Sequence, residues 1–161
     1  MEFIIREMKL EDIYQVQQVA KKSWKSTYQG IIPLVIQERF LKAAYNDEML
    51  QNRLENSFIW VSEVNRKIVG FANFSPVQEE GKTELTAIYL NPEYQGKGIG
   101  TALLNEGIKK LKGVNELFIN VEKDNTIGTT FYKAKGFRAF SEFDDDFDGH
   151  ILKTVRMVLK V

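Results

Sequence analysis

Cysteine is absent from the 161 residues, and histidine occurs once. The first absence excludes disulfides, thiolate metal sites and cysteine nucleophiles. His150, the lone imidazole, has no neighbours in sequence that complete a catalytic triad, which leaves it a structural reading. No apolar run reaches the ~18 residues a membrane span needs, and Met1-Glu2-Phe3 does not open a signal peptide. Excess charge of either sign is also missing. Lys+Arg and Asp+Glu are 22 each, so nothing global draws the chain to nucleic acid or to an anionic membrane. Repeats, linkers and low-complexity stretches are lacking as well. These absences fit a cytoplasmic protein folded as a single domain over residues 1–161.

What is present has the ordinary balance of a packed globular chain: 43% hydrophobic and 27% charged residues. Phe3-Ile4-Ile5-Arg6 reads as a short first strand. Ile13, Val16, Ala20 and Trp24 recur at helical spacing, and that helix ends near Gln29-Gly30. Pro33 opens a second helix through Ile36, Phe40 and Ala44, and a third covers Asp47 to Leu54. Phe58 to Val64 and Lys67 to Phe74 read as a hairpin, onto which Thr83 to Leu90 pairs in an antiparallel meander. Leu117 to Val121 forms a further strand, and the helix before it makes a β-α-β crossover, so this strand runs parallel to the preceding one. Two strands finish the chain, Phe137 to Phe143 and Ile151 to Val161. The acidic run Asp144 to Asp148 between them is either a solvated hairpin loop or a collar for a cationic substrate. It lacks the glycine and final glutamate of a calcium loop, so no metal is expected.

The most informative stretch runs from Glu84 to Lys112. A strand ends at Asn91-Pro92, because proline fixes its own φ and pushes the preceding residue out of the helical region. Ile99, Leu103, Leu104, Ile108 and Leu111 then mark an amphipathic helix. Between them lies Gln95-Gly96-Lys97-Gly98-Ile99-Gly100. Glycines let a ligand approach the backbone, and the first amides of a helix have no internal partner and favour a phosphate. Lys97 either adds a cation there or is simply solvated. The P-loop pattern fails, since Asn91 stands where its first glycine belongs and Gly98 follows the lysine. The dinucleotide pattern fails as well, with Thr101 or Leu103 at its third glycine.

What fits is Q-x-x-G-x-G, from Gln95 through Gly98 to Gly100, which resembles the pyrophosphate loop of the GNAT superfamily of acyl-CoA-dependent N-acetyltransferases. A second run, Asn125 to Phe137, reads N-x-x-G-x-x-F-Y-x-x-x-G-F and resembles the same family, with Gly128 in place of the usual alanine. Together the motifs bracket a β-α-β unit, and the likeness extends from about Phe58 to the C-terminus.

The resemblance implies an α/β fold: a central, mostly antiparallel sheet, flanked by helices, with one parallel pair splayed to hold CoA. It implies acetyl-CoA as co-substrate and assigns the pyrophosphate to the amides of Gln95, Gly96, Lys97, Gly98, Ile99, Gly100 and Thr101. The pantetheine arm lies along Ile88, Tyr89 and Leu90 like an added strand, with Leu90 N–H toward the thioester oxygen, and Asn125 touches the CoA arm. Glu84 stands eleven residues before Gln95, where histone-type members carry their catalytic glutamate, and is expected to act as general base through a water. The alternative is a surface glutamate. Tyr132 is expected to protonate the leaving thiolate, the alternative being a tyrosine packed beneath the cofactor. Trp24 and Tyr28 are either substrate-pocket wall or ordinary core.

Three functions follow from the resemblance. The first is acetyl transfer to a small-molecule amine such as a polyamine, as in bacterial spermidine/spermine acetyltransferases. The second is transfer to a protein N-terminus or lysine, which needs an open groove. The third is a non-catalytic acyl-CoA-binding module. Dimers are common in the family, and the terminal strands offer edges for pairing.

Overall fold

The computed structural model describes residues 2–161; Met1, part of the opening tripeptide, lies outside the described residues. The chain runs β1 (Ile4–Glu7), α1 (Ile13–Tyr28), α2 (Leu34–Ala44), α3 (Asp47–Asn56), β2 (Phe58–Val64), β3 (Lys67–Phe74), β4 (Lys82–Leu90), α4 (Ile99–Lys110), β5 (Glu116–Glu122), α5 (Thr126–Ala134), β6 (Arg138–Phe147) and β7 (His150–Lys160). The strands form one seven-stranded sheet in the order β1-β2-β3-β4-β5-β7-β6. Every neighbouring pair is antiparallel except β4 and β5, which are parallel as a β-α-β crossover requires.

Helices cover both faces. Val16, Val19 and Ala20 of α1, with Leu50 of α3, pack on Ile59, Val61, Ile68, Phe71 and Ala87. On the other face Leu103 and Leu104 of α4 and Tyr132 of α5 pack on Trp60, Phe74, Leu85, Leu117 and Met157. Neighbouring residues such as Trp60 and Val61 therefore enter different cores, as strand alternation demands. With both of its faces covered, β3 is buried at every position after Lys67.

The parallel pairing of β4 with β5 is short. It joins only Lys82 to Glu116, Thr83 to Leu117 and Glu84 to Phe118. Beyond Glu84 the two strands part, because each follows a different neighbour. β4 follows β3 through a bulge at Thr86, whose Oγ1 donates to the Asn73 carbonyl at 3.0 Å. A bulge bends its strand and increases the local twist. β5 stays in continuous register with β7 from Glu116 to Glu122.

One expectation from sequence needs correction. Asp144 to Asp148 is not a free loop. β6 continues through Asp144, Asp145 and Asp146 to Phe147, paired with Lys153, Leu152, Ile151 and His150 of β7. The turn is only Asp148-Gly149, with φ of 52° and 82°. Positive φ at both positions is the two-residue hairpin geometry that Asp-Gly favours. The tip is tied down by Phe147 stacking on Trp24 at 6.0 Å, by Arg39–Asp148 at 2.7 Å and by His150 Nε2 against the Ile31 carbonyl at 3.0 Å. His150 thus has the structural setting its sequence context implied.

At Gly107 of α4, an added Cβ would stand 2.2 Å from the Phe74 ring, which is fully buried. Gly107→Ala is therefore expected to destabilise the protein by about 1–3 kcal/mol, the usual cost of overpacking. A thermal melt checks this, and an unchanged midpoint would contradict the packing described.

Candidate active site

The parting of β4 and β5 opens a cleft of about 330 Å3 between Thr86–Leu90 on one side and Ile119–Glu122 on the other. That volume lies in the range of small-molecule sites. The β4 wall has backbone groups to offer. Asn91 N–H donates to the Val69 carbonyl at 2.8 Å, so Asn91 turns its backbone toward β3. Because alternate residues of an antiparallel strand turn their backbone groups to opposite sides, Tyr89 also faces β3. Ile88 and Leu90 turn theirs to the open side.

At one end of the cleft stands the N-terminus of α4. Gly96 and Gly98 have φ of 74° and 86°, left-handed values that glycine adopts without strain. A Cβ at either position would meet no atom within 4 Å, and both glycines line the cleft, so any side chain there would project into open space. Gly100 has a different reason. Its Cβ would lie 3.3 Å from the Phe131 ring, so its smallness lets α4 approach α5. The first backbone bond into α4 runs from Ala102 N–H to the Gly98 carbonyl at 3.1 Å, and the amides before it face forward without intrahelical partners. This geometry fits an anionic group, and the dipole of the twelve-residue helix adds to the attraction. Asn125 caps α5, its Oδ1 accepting from Gly128 N–H at 2.9 Å, and lines the same cleft.

The other end is built from tyrosines and a carboxylate. Tyr132 lines the cleft with its ring packed against Phe131 and Phe137, centroids 5.4 Å away in each case. Tyr28 reaches in from α1 and donates its phenol proton to Glu122 Oε2 at 2.7 Å. Burial, and then the nearby Glu122 carboxylate, push the phenols of both Tyr28 and Tyr132 up, so both remain protonated near neutrality. Burial also raises the Glu122 carboxyl. The Tyr28 bond opposes that shift and Asp145 adds to it.

Most of the residues singled out from sequence meet in this cleft. Ile88, Tyr89, Leu90, Gln95, Gly96, Gly98, Gly100, Thr101, Asn125, Tyr132 and Tyr28 all line it. Lys97 is exposed beside it, and the Ile99 side chain is buried in the core, leaving only its amide at the helix end. Trp24 does not line the cleft; it packs against Tyr28 and Phe40, centroids 4.5 and 4.3 Å away, and is only 3% exposed.

Glu84 does not line the cleft. Both of its oxygens are held by the Arg156 guanidinium, which also donates to Asn120 at 2.9 Å and lies over the Phe118 ring at 4.7 Å. The base expected from sequence spacing is thus engaged in an ion pair outside the cavity. Sequence reasoning passed over Glu122, the one carboxylate among the described residues that line the cleft. As the last residue of β5 in the charged run Glu122-Lys123-Asp124, it carries no local signal that distinguishes it from solvated surface. Among the described residues no group of three His, Asp or Glu side chains could hold a metal, and no helix is long and apolar enough to cross a membrane.

The sequence profile of the Acetyltransferase (GNAT) family matches residues 13–137. The chain belongs to the GNAT family. It is 32% identical over 151 residues to the spermidine N(1)-acetyltransferase of Thermoplasma acidophilum, covering 89% of this chain and 92% of that one. It is 33% identical over 156 residues to the uncharacterized N-acetyltransferase YuaI of Bacillus subtilis, covering 94% of this chain and 89% of that one. Among solved structures, PaiA N-acetyltransferase from T. acidophilum in complex with coenzyme A matches all of both chains with a TM-score of 0.87 at 30% identity. The protein is accordingly a GNAT acyl-CoA-dependent N-acetyltransferase, with the mixed sheet and helical layers of that fold.

The glycine cradle generates a direct test. Gly98→Asp, which places a carboxylate where the helix amides favour an anion, is expected to lower acetyl-CoA affinity by at least 100-fold in calorimetry. Unchanged affinity would remove the cradle from the cofactor site.

Proposed function

We propose that this chain, acting as one transferase domain, moves the acetyl group of acetyl-CoA to a primary amine of a small molecule, with polyamines as the acceptor class. The observation that carries this reading is the acceptor end of the cleft. It presents Glu122, to which no lysine or arginine is salt-bridged among the described residues. The tip of the β6–β7 hairpin folds onto α1 and α2 beside it through Phe147, Asp148 and His150. An end walled by Tyr28, Tyr132 and the Glu122 carboxylate suits a slender cation better than it suits a folded protein surface, which would need an open groove. The likeness to a protein named spermidine N(1)-acetyltransferase supports the same class.

Acetyl-CoA supplies an activated acetyl thioester when bound. The amides of residues 96 to 101 and the α4 dipole would hold its pyrophosphate. The free backbone edge at Ile88 and Leu90 would take the pantetheine arm as an added strand, with Leu90 N–H directed at the thioester oxygen. Asn125 would border the arm. Tyr132, kept protonated by burial and by Glu122, would give its proton to the departing sulfur.

Two measurements test this. Release of CoA from acetyl-CoA across polyamines, amino acids, aminoglycosides and short peptides is expected to be strongest with polyamines. Strong turnover on peptides alone would replace the acceptor class, and binding of acetyl-CoA without turnover on any amine would favour a regulatory module. Tyr132→Phe is expected to lower kcat by about 10²–10⁴-fold, the usual contribution of a positioned acid, with acetyl-CoA affinity retained. Equal turnover of the two proteins would eliminate the acid role.

A further inference from the structure

We propose that Glu122, held by Tyr28, is the group that receives the acceptor ammonium and takes its proton. The inference rests on the amine-transfer reading above and names the residue that gives it chemistry, in place of Glu84.

Three observations carry it. The first is position. Glu122 shares a sheet face with Glu84, but lies four residues beyond Phe118, the register partner of Glu84. That is roughly 13 Å further along β5 at the usual rise per residue, past the point where the strands separate. Glu122 therefore lines the cleft and Glu84 does not.

The second is charge pairing. Glu84 has its cation in Arg156, whereas Glu122 has none among the described residues. The groups that face Glu122 are Tyr28 from α1, Tyr89 from β4, Tyr132 from α5 and Asp145 from β6. β7 places uncharged Thr154 opposite it. A carboxylate withdrawn from water without a cation is unfavourable, so a site of this kind is completed by a cation that arrives with the ligand.

The third is hydrogen bonding. Tyr28 donates to Oε2, the Glu122 backbone N–H also favours the ionised carboxylate, and no other side chain among the described residues donates to Glu122, which lines a cavity large enough for a ligand. Tyr28 fixes the rotamer of the carboxylate. Burial raises this carboxyl above the ordinary glutamate value, the direction that makes it a stronger base.

The proton balance is simple. The ammonium gives one proton to Glu122, and the freed nitrogen pair forms the N–C bond to the acetyl carbon. The C–S bond breaks with its pair passing to sulfur, which takes the Tyr132 proton. The second proton lost by the nitrogen restores the phenol, and the Glu122 proton leaves to solvent. Glu122 and Tyr132 thus act as separate base and acid at one end of the cleft, and Tyr28 is a positioning residue.

The test is the pH dependence of kcat/KM with spermidine for the wild-type enzyme, Glu122→Gln, Tyr28→Phe and Glu84→Gln, with acetyl-CoA affinity by calorimetry as the check on folding. Wild type should lose activity as pH falls and Glu122 becomes protonated. Glu122→Gln should lower kcat at least 100-fold and abolish that acidic limb, with acetyl-CoA affinity kept. Tyr28→Phe should move the limb to higher pH, because the lost bond had favoured the ionised form. Glu84→Gln should keep the limb where it is. A Glu122→Gln enzyme that retains the limb, a limb unmoved in Tyr28→Phe, or a limb lost in Glu84→Gln would each overturn the assignment while leaving amine transfer intact. Inactivity of the wild type on every amine would overturn the functional reading, and this assignment with it.

Discussion

A strand can follow two neighbours along its whole length only if both twist alike, and β4 does not meet that condition. Its bulge at Thr86 keeps it with β3, while β5 is bound to β7 over seven residue pairs. The sheet resolves the conflict by giving up β4–β5 pairing after Glu84. In an ordinary sheet the resulting unpaired edge would be a liability. Here the backbone groups of Ile88 and Leu90 face a cavity bounded at one end by the start of α4 and at the other by Tyr28, Tyr132 and Glu122. The glycine loop, the capped α5 and the β6–β7 hairpin all take their functional meaning from that opening.

The same division sorts the acidic residues. Where the strands still pair, Glu84 is neutralised by Arg156, and the pair braces β4 against β7 across β5. Where they have parted, Glu122 meets the Tyr28 phenol and the Asp145 carboxylate, and no cation is salt-bridged to it among the described residues. One glutamate is paired within the sheet and the other lines the open cleft. The two ends of the cleft differ in sign: the unpartnered amides at the start of α4 favour an anion, and the buried Glu122 carboxylate favours a cation.

Much of this was legible in the sequence because it is written locally. Apolar period placed α1 and α4, the runs Phe58 to Val64 and Lys67 to Phe74 marked the β2–β3 hairpin, and the glycine pattern marked the end of α4 that bears the cradle. The errors fall where long-range partners decide. Arg156 lies 72 residues from Glu84, so no reading of the strand start could tell a free base from an ion pair. Glu122 gains its environment from Tyr28, 94 residues away. The aspartates of β6 looked like a loop by composition. Cross-strand pairing with β7 and the stacking of half-buried Phe147 on Trp24 override their poor strand propensity.

The most direct test of the splayed strand pair as the acyl-CoA site is amide hydrogen exchange, followed residue by residue on adding CoA. Protection is expected at Ile88 and Leu90, whose backbone faces the cleft, and at Gly98 to Thr101. Asn91, already bonded to Val69, should change little. Protection confined to other parts of the chain, with Ile88, Leu90 and the start of α4 unaffected, would contradict the account.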